Sequence, residues 1–232
     1  CSRHGDLPLW HQVYGGQVAD ATCFADVLPA VRQRLGDLHL DVEGMTIVYD
    51  KGNVSHANQA LVDGARLHYV TGLTTASQHA LVTEANPHLG PVDLGDGATV
   101  LAYRTRRTIW GADRTAIVLR SERLLEGQMR GILQHVAWAE RWLARLADTL
   151  RRGKQRRNRA RLQRDIETRL RGRQHLAQVL HVEITGEDPA LTLTYQFDRE
   201  AFDALARDRL GRVVLITDRH DWSTADILQA YH

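Results

Sequence analysis

The feature that most constrains the fold is a short apolar run, Gly44 to Tyr49, which ends in a single carboxylate at Asp50 and a glycine turn at Gly52. Its β-branched residues and the glycines around it predict a buried strand. Side chains that bind ligands in open α/β sheets lie where strands end, so Asp50 is a candidate functional residue. A purely structural role for Asp50 stays open, since most aspartates in such corners are structural.

The segments on either side of this run predict an α/β fold. A helix is predicted over 21–35, and Ser55 can cap a second helix over 55–63. Another apolar run, 67–71, predicts the next strand, and 7–14 is expected to be the returning strand of an opening hairpin. This order of elements, ββαβαβ, is typical of a mixed sheet covered by helices.

The pattern changes after residue 73. A loop rich in glycine and proline is expected over 86–97, followed by a small antiparallel pair at 99–103 and 115–119. Apolar residues then recur every three or four positions over 132–150 and again over 162–180, which predicts a long antiparallel helical hairpin.

The end of the sequence returns to α/β character. Residues 191–197 alternate as a strand, and Asp198 can cap the helix that follows. The apolar run 211–217 predicts a strand that enters the main sheet or a neighbouring one, and a further helix is expected to begin at Ala225.

Positive charge is concentrated at the tip of the predicted helical hairpin. Between Arg151 and Arg173 there are eleven Arg or Lys and two acidic residues, in a chain of net charge +2. Such a block suits a polyanion, most simply the phosphates of a nucleic acid. A solvated helix face or an arginine-rich linker is the open alternative. The candidate DNA-binding residues are Arg151, Arg152, Lys154, Arg156, Arg157, Arg159, Arg161 and Arg164.

Composition excludes several classes of protein. With 43% hydrophobic and 25% charged residues the chain is globular, and no apolar run approaches the roughly 20 residues of a membrane span. No signal peptide is visible, so we expect a cytoplasmic protein with no membrane partner. Two cysteines and twelve scattered histidines predict neither a disulfide framework nor a zinc site.

Four short motifs follow one another along the chain. They are Gly5-Asp6-Leu7-Pro8-Leu9, Gly16-Gln17-Val18-Ala19-Asp20, Ile47-Val48-Tyr49-Asp50-Lys51-Gly52-Asn53 with Ser55 and Asn58, and Leu215-Ile216-Thr217-Asp218 followed by Ser223, Ile227 and Tyr231. Their order and spacing resemble the DDE transposases of bacterial insertion sequences, in the group whose catalytic core carries an insertion. The resemblance covers nearly the whole chain, least closely over 74–180.

The resemblance implies an α/β fold with a ribonuclease-H-like mixed sheet and flanking helices, interrupted by an inserted β-hairpin and the long basic helical hairpin. It divides the chain into the first part of the core at 1–73, an insertion at 74–210, and a return to the core at 211–232. In relatives the insertion contributes to holding DNA ends, so the arginine-rich tip is the implied contact with phosphates.

In such a core three carboxylates hold two divalent metal ions, Mg²⁺ or Mn²⁺, because closely spaced ions need several converging oxygen ligands. Asp50 matches the second of these acids, so it is the implied catalytic residue and metal ligand. The resemblance puts the first acid before Cys1 and the glutamate beyond His232, on the helix that begins near Ala225. Tyr231 matches the tyrosine that opens the family's Tyr, Arg, Glu, Lys signature.

The implied function is therefore DNA transposition, with metal-dependent strand cleavage and transfer. The implied partners are transposon ends and target DNA, and a homodimer is left open. Because two of the three acids are missing from it, we expect this chain alone to be inactive.

Two other classes remain open at this stage. The chain could be a non-catalytic nucleic-acid-binding or assembly module that uses the arginine-rich hairpin. It could also be a ribonuclease-H-like nuclease of another kind, which requires a third acid within the chain. Other acids favour structural roles, since Asp20 lies at a helix start and the cluster Asp218 to Asp221 lies in a turn.

Overall fold

The computed structural model describes residues 13, 20–40, 42, 44–95, 97–153 and 158–231. They form two compact units, one comprising Cys1–Ser121 with Arg212–His232 and the other Glu122–Gly211. No helix in these ranges is long and apolar enough to cross a membrane.

Helices and strands alternate along the first part of the chain, after which several strands and then several helices follow in succession. In order they are α1 (Asp20–Asp37), β1 (Thr46–Tyr49), a 3-10 turn (Lys51–Asn53), α2 (His56–Gly64), β2 (His68–Leu73), α3 (His79–Ala85), a second 3-10 turn (Asn86–His88), β3 (Gly90–Asp93), β4 (Thr99–Ile109), β5 (Ala112–Arg120), α4 (Glu122–Arg151), α5 (Arg159–Leu170), α6 (Leu176–Val179), β6 (Leu180–Glu187), β7 (Ala190–Phe197), α7 (Arg199–Asp208), β8 (Arg212–Thr217) and α8 (Thr224–Tyr231).

The first unit is built on a mixed sheet of six strands in the order β1-β2-β8-β5-β4-β3. Strands β1 and β2 are parallel, whereas every other neighbouring pair is antiparallel. Because helices flank this sheet, the α/β class with a mixed sheet that the sequence predicts is confirmed. The apolar run 211–217 forms the central β8, so of the two sheets that the sequence left open it enters the main one.

The two faces of this sheet are covered by different helices, because successive side chains of a strand point to opposite sides. On one face Tyr69 of β2 packs with apolar residues of α1, α2 and α3, including Phe24 and Val62. On the other face the neighbouring Val70 packs with Ile227 and Leu228 of α8.

The second unit has its own core between α4, α5, α7 and the two-stranded sheet of β6 and β7. The apolar stripe predicted over 132–150 is buried along α4, where Ala139 and Leu143 are both fully inaccessible to solvent. Leu162 and Ile166 of α5 join the same cluster. The long helix and its apolar stripe are thus as the sequence predicts, whereas the second helix ends at Leu170 and does not continue to residue 180.

Three elements differ from the predictions. The expected loop 86–97 contains β3, where Pro91 is tolerated because β3 is the edge strand and needs no donor on its outer side. The apolar residues that ended the predicted helical stripe form the short α6 and then β6, which pairs with β7. Strand β1 is a sheet edge in the described part of the chain, and its Val48 is 44% exposed rather than buried.

The antiparallel pair predicted as part of an insertion lies in the main sheet instead. Strands β4 and β5 are longer than the predicted 99–103 and 115–119, and β5 pairs along its length with β8. The separate compact unit therefore spans Glu122–Gly211, whereas the sequence analysis placed the insertion at 74–210. The predicted opening hairpin lies outside the described residues, apart from Val13.

Candidate functional site

Asp50 lies where the sequence places it, directly after β1 and at the start of the 3-10 turn Lys51–Asn53. Its side chain is exposed, and its Oδ2 accepts a hydrogen bond from the backbone N–H of Gly52 at 2.9 Å. Since β1 and β2 are parallel, their C-terminal ends lie side by side at the same end of the strands. Asp50 is therefore an accessible carboxylate at the edge where open α/β sheets bind ligands.

Short-range hydrogen bonds fix the loop that follows Asp50. Ser55 caps α2 by accepting from the N–H of Asn58 at 3.0 Å, as its sequence position predicts. The Asn58 side chain in turn donates to the carbonyl of Asn53 at 2.8 Å. On the preceding side, the Thr71 hydroxyl donates to the carbonyl of Tyr49 at 2.8 Å. These contacts hold the backbone on both sides of the carboxylate.

Helix α8 brings Tyr231 to the same corner. A β-carbon built on Gly72 of β2 would lie 2.6 Å from the Tyr231 hydroxyl and 3.4 Å from the β-carbon of Lys51. Burial raises the pKa of Tyr231, and the negative charge of Asp50 raises it further. The structure thus brings together two residues that are 181 positions apart in the sequence.

The described residues do not complete a two-metal site. Within the described ranges no group of three or more His, Cys, Asp or Glu side chains is placed to hold a metal ion. Asp50 offers one carboxylate, whereas two Mg²⁺ ions need several converging oxygens.

The acidic cluster after β8 has structural partners. Asp218 accepts from the backbone N–H of Tyr69 at 3.0 Å and lies 2.8 Å from the His68 ring nitrogen Nδ1. Arg219 donates to the Thr46 hydroxyl at 2.9 Å. These contacts join β8 to the start of β1 and β2, which agrees with the loop role favoured by the sequence.

The arginine-rich segment divides into residues with and without local partners. Arg151 and Arg152 both pair with Asp148, each at 2.6 Å. Lys154, Arg156 and Arg157 lie outside the described residues.

Arg159 has a structural role at the start of α5. Its guanidinium donates to the carbonyls of Ile184 and Gly186 at 2.5 and 2.7 Å. Its backbone N–H donates to Asp188, which also accepts from the Asn158 side chain at 2.8 Å. The N-terminus of α5 is therefore occupied by a carboxylate of the chain itself and joined to the tip of the β6–β7 hairpin.

Arg161 and Arg164 are exposed on α5. Neither guanidinium forms an ion pair or hydrogen bond with any residue in the described part of the chain. Of the eight predicted contacts, these two are the described ones whose guanidinium groups have no partner among the described residues.

Comparisons with protein-family models, with curated proteins and with solved structures find no match to this chain.

Sequence reasoning missed Gly72, which admits Tyr231 beside the Asp50 loop. A glycine inside an apolar strand such as 68–73 is the signal that could have identified it, since it often marks the close approach of another group. Trp110 packs against the core of the main sheet, and Trp138 packs against the core of the second unit.

Proposed function

We propose that this chain is part of a DDE-type transposase, an enzyme that cuts and joins DNA during transposition, with a ribonuclease-H-like core. The observation that carries the proposal is the corner of the sheet at which the exposed Asp50 carboxylate and the end of α8 meet. The resemblance assigns one catalytic acid to the residue after β1, which is Asp50, and another to the helix that contains Tyr231. The mixed sheet, with β1 and β2 parallel at one side, supports the same assignment.

The position of the second unit in the sequence also supports this proposal. It separates β5 from β8, so a whole compact unit interrupts the chain between Asp50 and α8. Transposases of the group that the chain resembles carry an insertion at this point of the core. We therefore assign Glu122–Gly211 as the inserted module, and DNA as its partner.

The proposal assigns Asp50 as one acid of the set that binds Mg²⁺ or Mn²⁺ in the complete enzyme. The remaining acids would have to come from outside the described residues, because no cluster of three candidate ligands exists within them. Within this chain, Asp50 supplies an exposed negative charge, and the turn Lys51–Asn53 fixes its direction.

The proposal is tested with the complete coding sequence that contains this chain, expressed beside the intact genetic element. The readout is DNA cleaved at the ends of the element and joined to a target. Asp50→Asn is expected to abolish both products, because it removes the carboxylate and keeps the side chain's size.

Asp93→Asn is the matched control for this experiment. Asp93 is also exposed at the end of a strand, and it accepts from the N–H of Gly95 at 2.8 Å, just as Asp50 accepts from Gly52. This variant is expected to retain both products. Undiminished cleavage by Asp50→Asn would overturn the proposal, as would flanking coding sequence that lacks an upstream aspartate and a downstream glutamate.

A non-catalytic nucleic-acid-binding module is the second candidate. The charge of the second unit favours it, with 18 Arg or Lys against 13 Asp or Glu, compared with 12 against 15 in the first unit. For such a module we expect DNA binding that is unaffected by Asp50→Asn and by removal of Mg²⁺, with no cleaved product from the wild-type protein.

A further inference from the structure

Helix α4 carries a row of arginines on its solvent face. The α4 arginine row consists of Arg123, Arg130, Arg141 and Arg145, all of which are exposed. At 3.6 residues per turn these four positions fall within a sector of about 60° around the helix axis. Buried residues of the same helix, such as Ile132 and Leu143, lie on the opposite side.

None of the four guanidinium groups is paired with a side chain or carbonyl among the residues that the structure describes. Asp148, the acidic residue on the same face, is engaged by Arg151 and Arg152 at 2.6 Å. Exposed Glu126 lies one helical turn from Arg123 and Arg130 but is paired with neither. The row is therefore a line of exposed arginines without an ion pair among the described residues.

The spacing of the row suits an extended polyanion. With a rise of about 1.5 Å per residue, the intervals along the axis are about 10.5, 16.5 and 6 Å, and the whole row is about 33 Å long. These intervals are too wide for one phosphate or nucleotide to contact all four side chains. The full length is close to one turn of a DNA duplex, which is about 34 Å.

A membrane surface fits this helix less well than a nucleic acid. Helices that bind membranes insert a broad apolar face beside their cationic face. The broad apolar face of α4, which includes Val136, Ala139 and Leu143, is buried in the core of the second unit. Charge complementarity and length therefore favour nucleic acid.

We propose that the α4 arginine row binds the phosphate backbone of duplex DNA. This inference rests on the proposed function, in which DNA is the partner, and adds a surface on α4 to the exposed Arg161 and Arg164 of α5. Contacts of this kind neutralise phosphates without reading bases, so the row binds duplex DNA without sequence preference.

The test measures how the affinity of the chain for a labelled 30-base-pair duplex of random sequence depends on salt. Each phosphate contact contributes about 0.9 to the slope of log affinity against log salt concentration. The double variant Arg141→Gln, Arg145→Gln is therefore expected to lower the slope by about 2, and the variant of all four residues by about 3 to 4. Replacing Arg141 and Arg145 by Lys is expected to retain most of the slope.

The matched control is Arg199→Gln, Arg207→Gln. It removes the same charge from exposed positions of α7, which pair with Asp203 and Asp208. This control is expected to change the slope by less than about 0.5. Thermal melting of each variant shows whether it is folded, so that a lower slope can be assigned to lost phosphate contacts. The Lys variant provides an independent check, because it keeps the positive charge at Arg141 and Arg145.

Two outcomes overturn the inference in different ways. If the four-residue variant keeps the wild-type slope while Arg161→Gln, Arg164→Gln lowers it, the row is not a DNA-binding surface, but DNA remains the partner. If the wild-type chain binds vesicles containing phosphatidylserine and not the duplex, the row and the DNA partner are both wrong. DNA cleavage by the Asp50→Asn variant would overturn the proposed catalytic role of Asp50. It would not bear on the α4 arginine row, whose test is the salt dependence of duplex binding.

Discussion

The hydroxyl of Tyr231 lies over Gly72, so closely that a β-carbon at Gly72 would come within 2.6 Å of it. Gly72 follows Thr71, which pairs in register with Tyr49, the residue before Asp50. Burial and, to a smaller extent, the charge of Asp50 raise the pKa of Tyr231. The missing side chain at Gly72 is what allows the tyrosine to reach this edge of the sheet.

Gly72→Ala is therefore expected to displace the Tyr231 ring towards solvent. Because burial is the main cause of the raised pKa, displacement lowers the pKa of Tyr231 towards its ordinary value of about 10. The measurement is a pH titration of tyrosinate absorbance, with the contribution of Tyr231 obtained by subtracting the titration of Tyr231→Phe.

Gly90→Ala is the control, because a β-carbon at Gly90 of β3 would meet no atom within 4 Å. It is expected to leave the titration of Tyr231 unchanged. Asp50→Asn should lower the pKa of Tyr231 by less than Gly72→Ala does, since the charge of Asp50 is the weaker cause. If Gly72→Ala leaves the pKa of Tyr231 unchanged, the close packing of the Tyr231 hydroxyl over Gly72 is contradicted.

A second prediction concerns the ion pair between the buried Arg114 and Asp63, whose side chain is 40% exposed. Arg114 is 1% exposed, and its guanidinium donates to both carboxylate oxygens of Asp63, at 3.2 and 2.7 Å. Asp63→Ala removes the carboxylate partner of this buried cation and leaves it with the Ile109 carbonyl and the Tyr69 hydroxyl. We therefore expect the free energy of unfolding to fall by about 1.5 to 3 kcal/mol in urea titrations, the range for hydrogen bonds to charged groups.

Asp113→Ala is the control for this loss. Asp113 pairs with Arg106 on the surface, where both side chains are more than half exposed. Its removal is expected to change the unfolding free energy by less than about 1 kcal/mol. Equal losses in the two variants would show that burial of Arg114 is not what makes the Asp63 pair important.

The same pair predicts how stability depends on pH. Burial would raise the pKa of Asp63, but hydrogen bonds from Arg114 and Gln59 and the guanidinium charge outweigh it, so that the pKa is lowered. The stabilisation is therefore fully present above the unfolded pKa of about 3.9 and is lost as the pH falls through the lower folded value. The difference in unfolding free energy between the wild type and Asp63→Asn should shrink below about pH 4. A difference that stays constant from pH 6 to pH 3 would contradict this.

Local signals in the sequence predicted the elements that local interactions determine. Ser55 and Asp198 cap helices where the sequence places them, because a cap involves residues only three positions apart. The stripe along α4 was predictable for the same reason, since its period belongs to a single helix.

Features that depend on distant pairing were not predictable from the pattern. The place of β8 between β2 and β5 depends on partners far away in the sequence, and a run of apolar residues does not specify them. Strand β3 was missed because Pro91 is a loop signal that an edge position overrides. Likewise, the partners of Arg159 lie 25 and 27 residues away, so composition alone placed it among the DNA contacts.

A third prediction separates core from surface on α4. Leu143 is fully buried in the core of the second unit, whereas Leu133 on the same helix is 40% exposed. Leu143→Ala is expected to lower the free energy of unfolding by about 2 to 5 kcal/mol, because it removes buried methyl groups and leaves a cavity. Leu133→Ala, with the same chemical change, should cost less than about 1 kcal/mol in the same denaturant titration. Similar losses for both leucines would contradict the assignment of the buried face.

The last prediction concerns Arg159, one of the eight arginine and lysine residues that the sequence predicts as DNA contacts. Arg159→Ala removes a charged donor from the carbonyls of Ile184 and Gly186, so it should lower the free energy of unfolding by about 1 to 3 kcal/mol. Since this guanidinium is already engaged within the chain, the salt dependence of DNA binding should change little.

Arg161→Ala should behave in the opposite way. Its guanidinium has no partner among the described residues, so its removal should leave the unfolding free energy nearly unchanged. The slope of log affinity against log salt should fall by about 0.9, the contribution of one phosphate contact. Equal changes of slope in Arg159→Ala and Arg161→Ala would mean that Arg159 leaves the β6–β7 hairpin to bind DNA.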